Sequence, residues 1–393
     1  MPLGVSMNVV GLFAGIGGFE LGLSECGHRT ISLCEILPAA QAVLKTHFPH
    51  VELTSDIREI ADLPSDTDLV CAGFPCQDLS QAGLARGLEG TQSSLVREVF
   101  RLIRKRPVPW LVLENVPFML QLNQGRAMRA IVEHLEDLGY LWAWRVVDTF
   151  SFGLPQRRER VYLLASRDAD PADVLLADDA PIERPQTAIG ELAHGFYWTE
   201  GRGGLGWAVD AIPTLKNGST IGIPSPPAIL MPNGWVIKPD IRDAERLQGF
   251  PPDWTKPAEA VVKPGRRWSL VGNAVSTPVA KWLGERLYSP GSYDRLRDGK
   301  FPQEGKLPRA ARYDGTRRHS VDISPDPIGV RPEHLADFLQ WEGTPLSEKA
   351  TSGFLGRTRN AKLRFAPGFI SALENHLARV SQNPTQSAAK RVA

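Results

Sequence analysis

Apolar residues in the first 166 positions fall into short runs separated by amphipathic stretches. Val9-Val10-Gly11-Leu12-Phe13 is the first run, and it ends in the glycine-rich turn Ala14-Gly15-Ile16-Gly17-Gly18. An amphipathic stretch with Phe19, Leu21 and Leu23 follows. Residues 31–34 predict a second strand and 38–48 a second helix. Two more strands are predicted at 68–71 and 110–113, a helix at 128–138, and late strands at 142–147 and 160–165. Strand–helix alternation of this kind predicts a doubly wound α/β sheet. Ligands of such sheets sit beyond the carboxyl ends of the strands.

The pattern changes near Asp168. Residues 168–184 are rich in Ala, Asp and Pro, and 195–240 are rich in Gly, Pro and Trp without a sustained period. Together they predict a small irregular lobe. Helical spacing returns at 241–247 and 276–287. Residues 291–320 are basic and turn-rich, 331–379 show the spacing of short helices, and the small polar residues from 381 onward predict disorder. The expected organisation is therefore a catalytic domain at 1–166, a lobe at 167–240, a return of the chain to the catalytic domain at 241–290, and a C-terminal extension at 291–393.

Composition changes this picture little. The chain of 393 residues is 42% hydrophobic and 23% charged, with a net charge of +1. It is not a polycation, so any nucleic-acid binding must come from local concentrations of Lys and Arg in a cleft. No apolar run approaches the ~20 residues that span a bilayer. Met1-Pro2-Leu3-Gly4-Val5 lacks the charged start of a signal peptide. Four cysteines suit a reducing cytoplasm better than a disulfide framework, and one of them can be a nucleophile. No His/Cys cluster has metal-ligand spacing, so no metal is expected.

The candidate chemistry starts at the first turn. Glycines after a strand let backbone approach a ligand, and the next helix presents free N–H groups. Glu35, at the end of the second strand, can accept from both hydroxyls of a ribose. Asp56, before Ile57, can meet an adenine amine. These residues alone fit a nucleoside cofactor or an ordinary tight turn with two solvated acids. Among the cysteines, Cys26, Cys34 and Cys71 read as small core residues. Cys76 differs, because it follows a proline in the glycine-flanked loop Gly73-Phe74-Pro75-Cys76-Gln77-Asp78-Leu79-Ser80.

Two further segments appear in order, Glu114-Asn115-Val116 and Gln156-Arg157-Arg158-Glu159-Arg160. Arg246-Leu247-Gln248-Gly249-Phe250-Pro251 and Gly272-Asn273-Ala274-Val275-Ser276 complete the set. With these segments the sequence resembles the DNA cytosine-5 methyltransferase family over roughly three quarters of its length. The resemblance implies a Rossmann-like sheet that uses S-adenosylmethionine and acts as a monomer on double-stranded DNA. It implies that Cys76 adds to C6 of a flipped-out cytosine, that Glu114 protonates or hydrogen-bonds N3, and that Arg160 holds O2 while Arg158 braces the site. The implied cofactor residues are Phe13, Gly15, Gly17, Glu35, Ile36, Asp56, Ile57, Pro75, Leu95, Asn273 and Val275. The resemblance also implies that residues 77–96 form a mobile loop that closes over the base, with Ser80 and Arg86 as candidate phosphate contacts.

The lobe occupies the family's target-recognition position. There Arg202, Thr214, Lys216 and Asn217 are candidates for reaching DNA, and Trp198, Trp207 and Trp235 either support a loop or form a small core. The family usually has a glutamate where Asp243 stands, a departure read as structural. Residues 291–320 either track phosphates or form a solvated linker. The helices of 331–379 either meet a protein partner of a defence system or extend the DNA footprint. A role in restriction–modification or phage defence is expected. A tRNA cytosine-5 methyltransferase and a non-catalytic DNA-binding scaffold are the alternatives.

Overall fold

The computed structural model describes residues 5–74, 95–201, 204–217, 226–359 and 361–382. The chain opens as predicted with β1 (Asn8–Leu12), α1 (Gly18–Ser24), β2 (Arg29–Cys34) and α2 (Pro38–His47). An unpredicted short strand β3 (Glu52–Thr54) precedes β4 (Leu69–Gly73). Helix α3 (Leu95–Lys105) buries Val96, Val99, Phe100 and Ile103, the 3–4 spacing of one helical face. Residues 95 and 96 therefore begin a helix rather than end a loop, and 77–94 lie outside the described residues. Next come β5 (Trp110–Asn115), α4 (Arg126–Asp137), β6 (Leu141–Asp148), β7 (Gln156–Arg157) and β8 (Glu159–Ser166).

The lobe is more regular than its sequence suggests. A short helix α5 (Ala172–Leu175) leads to β9 (His194–Phe196), β10 (Ala208–Val209), β11 (Ile212–Pro213), β12 (Ala228–Leu230) and β13 (Val236–Lys238). The return to the large domain is α6 (Ile241–Arg246), α7 (Arg267–Asn273) and α8 (Thr277–Tyr288). Three strands follow, β14 (Asp298–Lys300), β15 (Ala310–Tyr313) and β16 (Arg318–Val321). The chain then forms α9 (Leu335–Phe338), β17 (Thr344–Pro345), α10 (Glu348–Arg359) and α11 (Phe369–Gln382).

Ten strands make one sheet in the order β14-β16-β15-β6-β8-β5-β4-β1-β2-β3. The half from β5 to β3 is parallel, and the strands from β8 to β14 are antiparallel. Side chains alternate between two buried layers, as the period of two requires. Val70 and Ala72 of β4 face α3 and α4, whereas Leu69 and Cys71 face α1, α5 and α8. On β6, Trp142 and Trp144 project to one side and stack with ring centroids 4.9 Å apart. Each buried side chain of this size contributes roughly 2–3 kcal/mol of hydrophobic stabilisation. The parallel order reverses between β1 and β4, which marks where a ligand crevice belongs.

The C-terminal quarter is not a linker followed by separate helices. Its first part adds β14–β16 to the large sheet, and its arginines are used internally. Arg312 pairs with Asp298 at 2.6 Å, Arg318 with Glu136 at 2.7 Å and Arg309 with Glu159 at 2.7 Å, while Arg297 pairs with Asp179. Its second part joins the lobe. β17 pairs with β13 in the order β10-β9-β12-β13-β17, and α10 and α11 cover that sheet. Trp198 and Trp207 pack into the same core, and Trp235 lies edge-on to His376. Asp243 accepts from the backbone N–H groups of Gln340 and Trp341, so this departure from the family pattern anchors the C-terminal segment. Among the described residues no helix is long and apolar enough to cross a membrane.

Candidate active site

A cavity of about 550 Å³ opens beyond the carboxyl ends of β1, β2, β4 and β5. The turn after β1 forms one wall. Phe13, Gly15 and Gly17 all take left-handed backbone, with φ of 56°, 56° and 87°. For Phe13 this is strained, and such strain gathers at functional sites. Gly15 faces open space, since a Cβ there would meet nothing within 4 Å. Gly17 does not line the cavity. A Cβ on it would sit 2.6 Å from the Phe48 ring, so it lets the turn close against α2. Val275 also stands behind the wall, in the core under α1, with its carbonyl against Gly18.

Glu35 ends β2 at the cavity. Its carboxylate accepts from Gly15 N and Leu37 N, both at 2.8 Å. Burial nevertheless holds its pKa above the usual carboxylate value, because three backbone N–H groups only partly offset the lost hydration. The next residue, Ile36, is 59% exposed at the rim, an unusual position for so large an apolar side chain. Ile57, Leu95 and Asn273 line the same space. Asp56 is there too, but it caps the turn 57–59 and grips the guanidinium of Arg58, which keeps its carboxyl below the usual range. An amine bound there shares that carboxylate with Arg58.

The other end of the cavity holds Glu114, the penultimate residue of β5. Parallel register places it opposite Gly73, three residues before Cys76 in the sequence. Asn115 fixes this end, since its amide donates to Phe74 O at 3.0 Å and its oxygen accepts from Val116 N. Cys76, Pro75, Ser80, Arg86 and Arg202 lie outside the described residues. Glu114 Oε1 lies 3.1 Å from Arg160 Nε. Burial pushes the Glu114 pKa up, and Arg160 and then Arg158 pull it back only in part. Cys34 also lines the cavity, but burial and the adjacent Glu35 push its thiol up to about 12.

Arg158 does not face the cavity. It is buried, and it donates to Ala274 O at 2.7 Å and to Leu215 O and Gly272 O at 3.3 Å. It therefore holds three segments together behind the site instead of touching a reacting group. Gln156 was missed as a residue of consequence. It is fully buried, donates to Leu247 O and accepts from Leu215 N, joining lobe to catalytic domain.

The lobe residues divide similarly. Asn217 lines the cavity. Thr214 donates to Arg157 O and, with Arg160 and Pro117, lines a smaller adjoining pocket of about 410 Å³. Lys216 pairs with Glu200 and sits 4.1 Å above the Tyr197 ring.

This sheet and this cavity define an α/β methyltransferase. Residues 7–199 match the family model "C-5 cytosine-specific DNA methylase". The chain is 47% identical over 388 residues to the Type II methyltransferase M2.BsuMI of Bacillus subtilis (strain 168), covering 94% of this chain and 97% of that protein. It is 31% identical to the Type II methyltransferase M.NlaX of Neisseria lactamica, over 71% of this chain and 95% of that one. The Dnmt2 methyltransferase of S. pombe shares the fold with a TM-score of 0.53 at 16% identity, over 70% of this chain and 97% of that one. The chain belongs to the C-5 cytosine-specific DNA methylase family.

Proposed function

We propose that the protein methylates C5 of a flipped-out cytosine in double-stranded DNA through a covalent bond between Cys76 and C6, as the modification arm of a restriction–modification or phage-defence system. The observation that carries the chemistry is the Glu114–Arg160 pair, buried at the junction of the two cavities and opposite Gly73. The defence role rests on the Type II relatives.

The β1–β2 end of the cavity suits S-adenosylmethionine. It combines a buried carboxylate at Glu35, an apolar rim at Ile36 and Ile57, and open space beside Gly15 that a Cβ would occupy. Phe13, Gly15, Glu35, Ile36, Asp56, Ile57, Leu95 and Asn273 would hold it, with Gly17 and Val275 shaping the wall, and the family resemblance adds Pro75 to them. When bound, this cofactor supplies an electrophilic methyl group for the activated pyrimidine carbon.

The chain's own residues do the activation. The Cys76 thiolate forms a bond to C6, and the displaced electron pair of the ring moves toward N3. Glu114 gives N3 a proton there, which its raised pKa equips it to do. Arg160 holds the ring through O2 and pairs with the carboxylate that forms on Glu114. C5 thereby becomes enamine-like. After methylation the C5 proton passes to water, the C6–S bond breaks to regenerate the thiolate, and N3 returns its proton to Glu114. The cavity lies at the strand ends, out of reach of a stacked base, so the cytosine must leave the duplex. The thiols of Cys26, Cys34 and Cys71 are all held above their ordinary pKa, chiefly by burial, which supports assigning the nucleophile to Cys76.

A duplex carrying 5-fluorocytosine tests this reading, because fluorine cannot leave C5 as the proton does. The full chain with S-adenosylmethionine should give a protein–DNA adduct stable to denaturation, and Cys76→Ala should give none. A wild-type protein that forms no adduct on any methylatable duplex overturns the proposal. Bisulfite sequencing of DNA from cells expressing the protein, against the same variant, identifies the target.

A further inference from the structure

The lobe is assembled from two separated stretches of chain. Strands β9, β10, β12 and β13 come from residues 194–238, and the fifth strand, β17, comes from the C-terminal quarter. The core around Phe196 and Val236 is closed by Phe354, Phe369 and Leu373. His376, fully buried on α11, accepts from Val236 N at 3.2 Å and donates to Leu346 O at 2.9 Å. Without 344–380 the 194–238 sheet would lose both an edge strand and its apolar cover.

One half-buried side chain of this second stretch reaches back to the 198–200 segment. Arg357 of α10 donates to Trp198 O at 2.5 Å and to Glu200 O at 2.9 Å. A guanidinium spanning two carbonyls two residues apart fixes the path of that loop, which a single ammonium cannot do. The Glu200 carboxylate in turn pairs with Lys216, which rests on the Tyr197 ring. Lys216 and Asn217 then run past Gly272 so closely that a Cβ on Gly272 would collide with Lys216 O. Asn217 emerges into the cavity that also holds Glu114 and Asn273.

We propose that residues 331–382 are the second half of the target-recognition lobe, and that Arg357 is a positioning residue which sets the 198–201 loop, and through Glu200 the Lys216–Asn217 edge, against DNA. This rests on the DNA methyltransferase reading above. Arg357 touches no reacting group, so its effect falls on productive DNA binding.

Steady-state methylation by the full-length protein, with calorimetric titration of S-adenosylmethionine, tests the role of Arg357. Arg357→Ala should raise KM for target DNA at least tenfold, leaving kcat at saturating DNA and cofactor Kd within twofold of wild type. Arg357→Lys, which can serve one carbonyl, should fall between. A KM for DNA within twofold of wild type overturns the proposal. Parallel losses of kcat and cofactor affinity overturn it too, because they report general damage. If Arg357→Ala does not fold, Arg357→Gln decides, with a threefold rise in KM for DNA expected and an unchanged KM refuting the role. A wild-type chain that transfers no methyl group to DNA would sink the underlying reading, and this proposal with it.

Discussion

Arg160 Nε lies 3.1 Å from Glu114 Oε1, with both side chains largely withdrawn from water. The two partners pull the Glu114 proton in opposite directions. Burial favours the protonated acid, and the guanidinium favours the carboxylate. If Glu114 must carry a proton to N3, activity is full below its raised pKa and falls as pH rises through it. Arg160→Ala removes the charge that lowers this pKa, so the alkaline limb of the kcat profile should move to higher pH while kcat drops by roughly 10²-fold. Glu114→Gln should lose that limb together with most activity. A pH profile from 6 to 10 for the three proteins checks both, and an alkaline limb that moves down in Arg160→Ala contradicts the assignment.

Glu20 on α1 presents a different buried acid. It is about 1% exposed, and neither carboxyl oxygen is hydrogen-bonded to another residue among the described residues. It fits only because Gly11 of β1 has no side chain, since a Cβ there would collide with Oε1. Burial raises its pKa to about 7, and Glu35 adds to the rise. The unfolded chain ionises near 4.5, so folded stability is highest below that pH and declines as pH rises to about 7. Glu20→Met should remove this decline and add on the order of 3 kcal/mol at pH 8 while matching wild type near pH 4. Thermal melts across that range measure it.

The first half of the fold and most of the site were legible because their signals are local. The strands of 8–166 are short continuous apolar runs set between amphipathic stretches, and the site segments are contiguous strings at strand ends. What stayed hidden depends on pairings across the chain. Arg297, Arg309, Arg312 and Arg318 read as a basic linker because their acids, Asp179, Glu159, Asp298 and Glu136, are up to 182 residues away in sequence. The lobe strands are two or three residues long, too short for a period to show, and their partner β17 follows after a long excursion. Arg158 reads as a brace of the site because Arg160, two residues on, is in it, but which segments it ties together is not visible in the sequence. Arg158 lies in the step between β7 and β8, where strand alternation does not apply, and its guanidinium turns to the carbonyls of Leu215, Gly272 and Ala274 in the interior.

Arg158 should therefore behave as a structural residue. Its guanidinium is fully buried, with a pKa pushed down to about 9 first by that burial and then by Arg160. Removing it strands the carbonyls of Leu215, Gly272 and Ala274. Arg158→Met should cost about 3 kcal/mol, and Arg158→Lys should restore little, since one ammonium cannot serve three directions. Denaturant unfolding measures the loss. A variant of wild-type stability but no activity would return Arg158 to the catalytic group.

His376 makes the bipartite lobe testable by pH. Its Nδ1 accepts from Val236 N, so the proton sits on Nε2 and donates to Leu346 O. The bond from Val236 N requires an unprotonated Nδ1 and so the neutral ring; burial holds the pKa below the usual histidine value with Arg379 assisting, against the pull of the Leu346 carbonyl toward the charged ring. For a base with a depressed folded pKa, the stabilisation is complete above the unfolded value of about 6.5 and is lost as pH falls through the folded one. Backbone hydrogen exchange of β12 and β13, corrected for intrinsic rates, should thus accelerate on acidification while that of β1, β4 and β5 does not. His376→Ala should show fast exchange in β12 and β13 at pH 8 already, with little further change at pH 5. Should acid loosen both sheets equally, or leave the lobe in His376→Ala as protected as in wild type, the C-terminal helices do not hold the lobe through this residue.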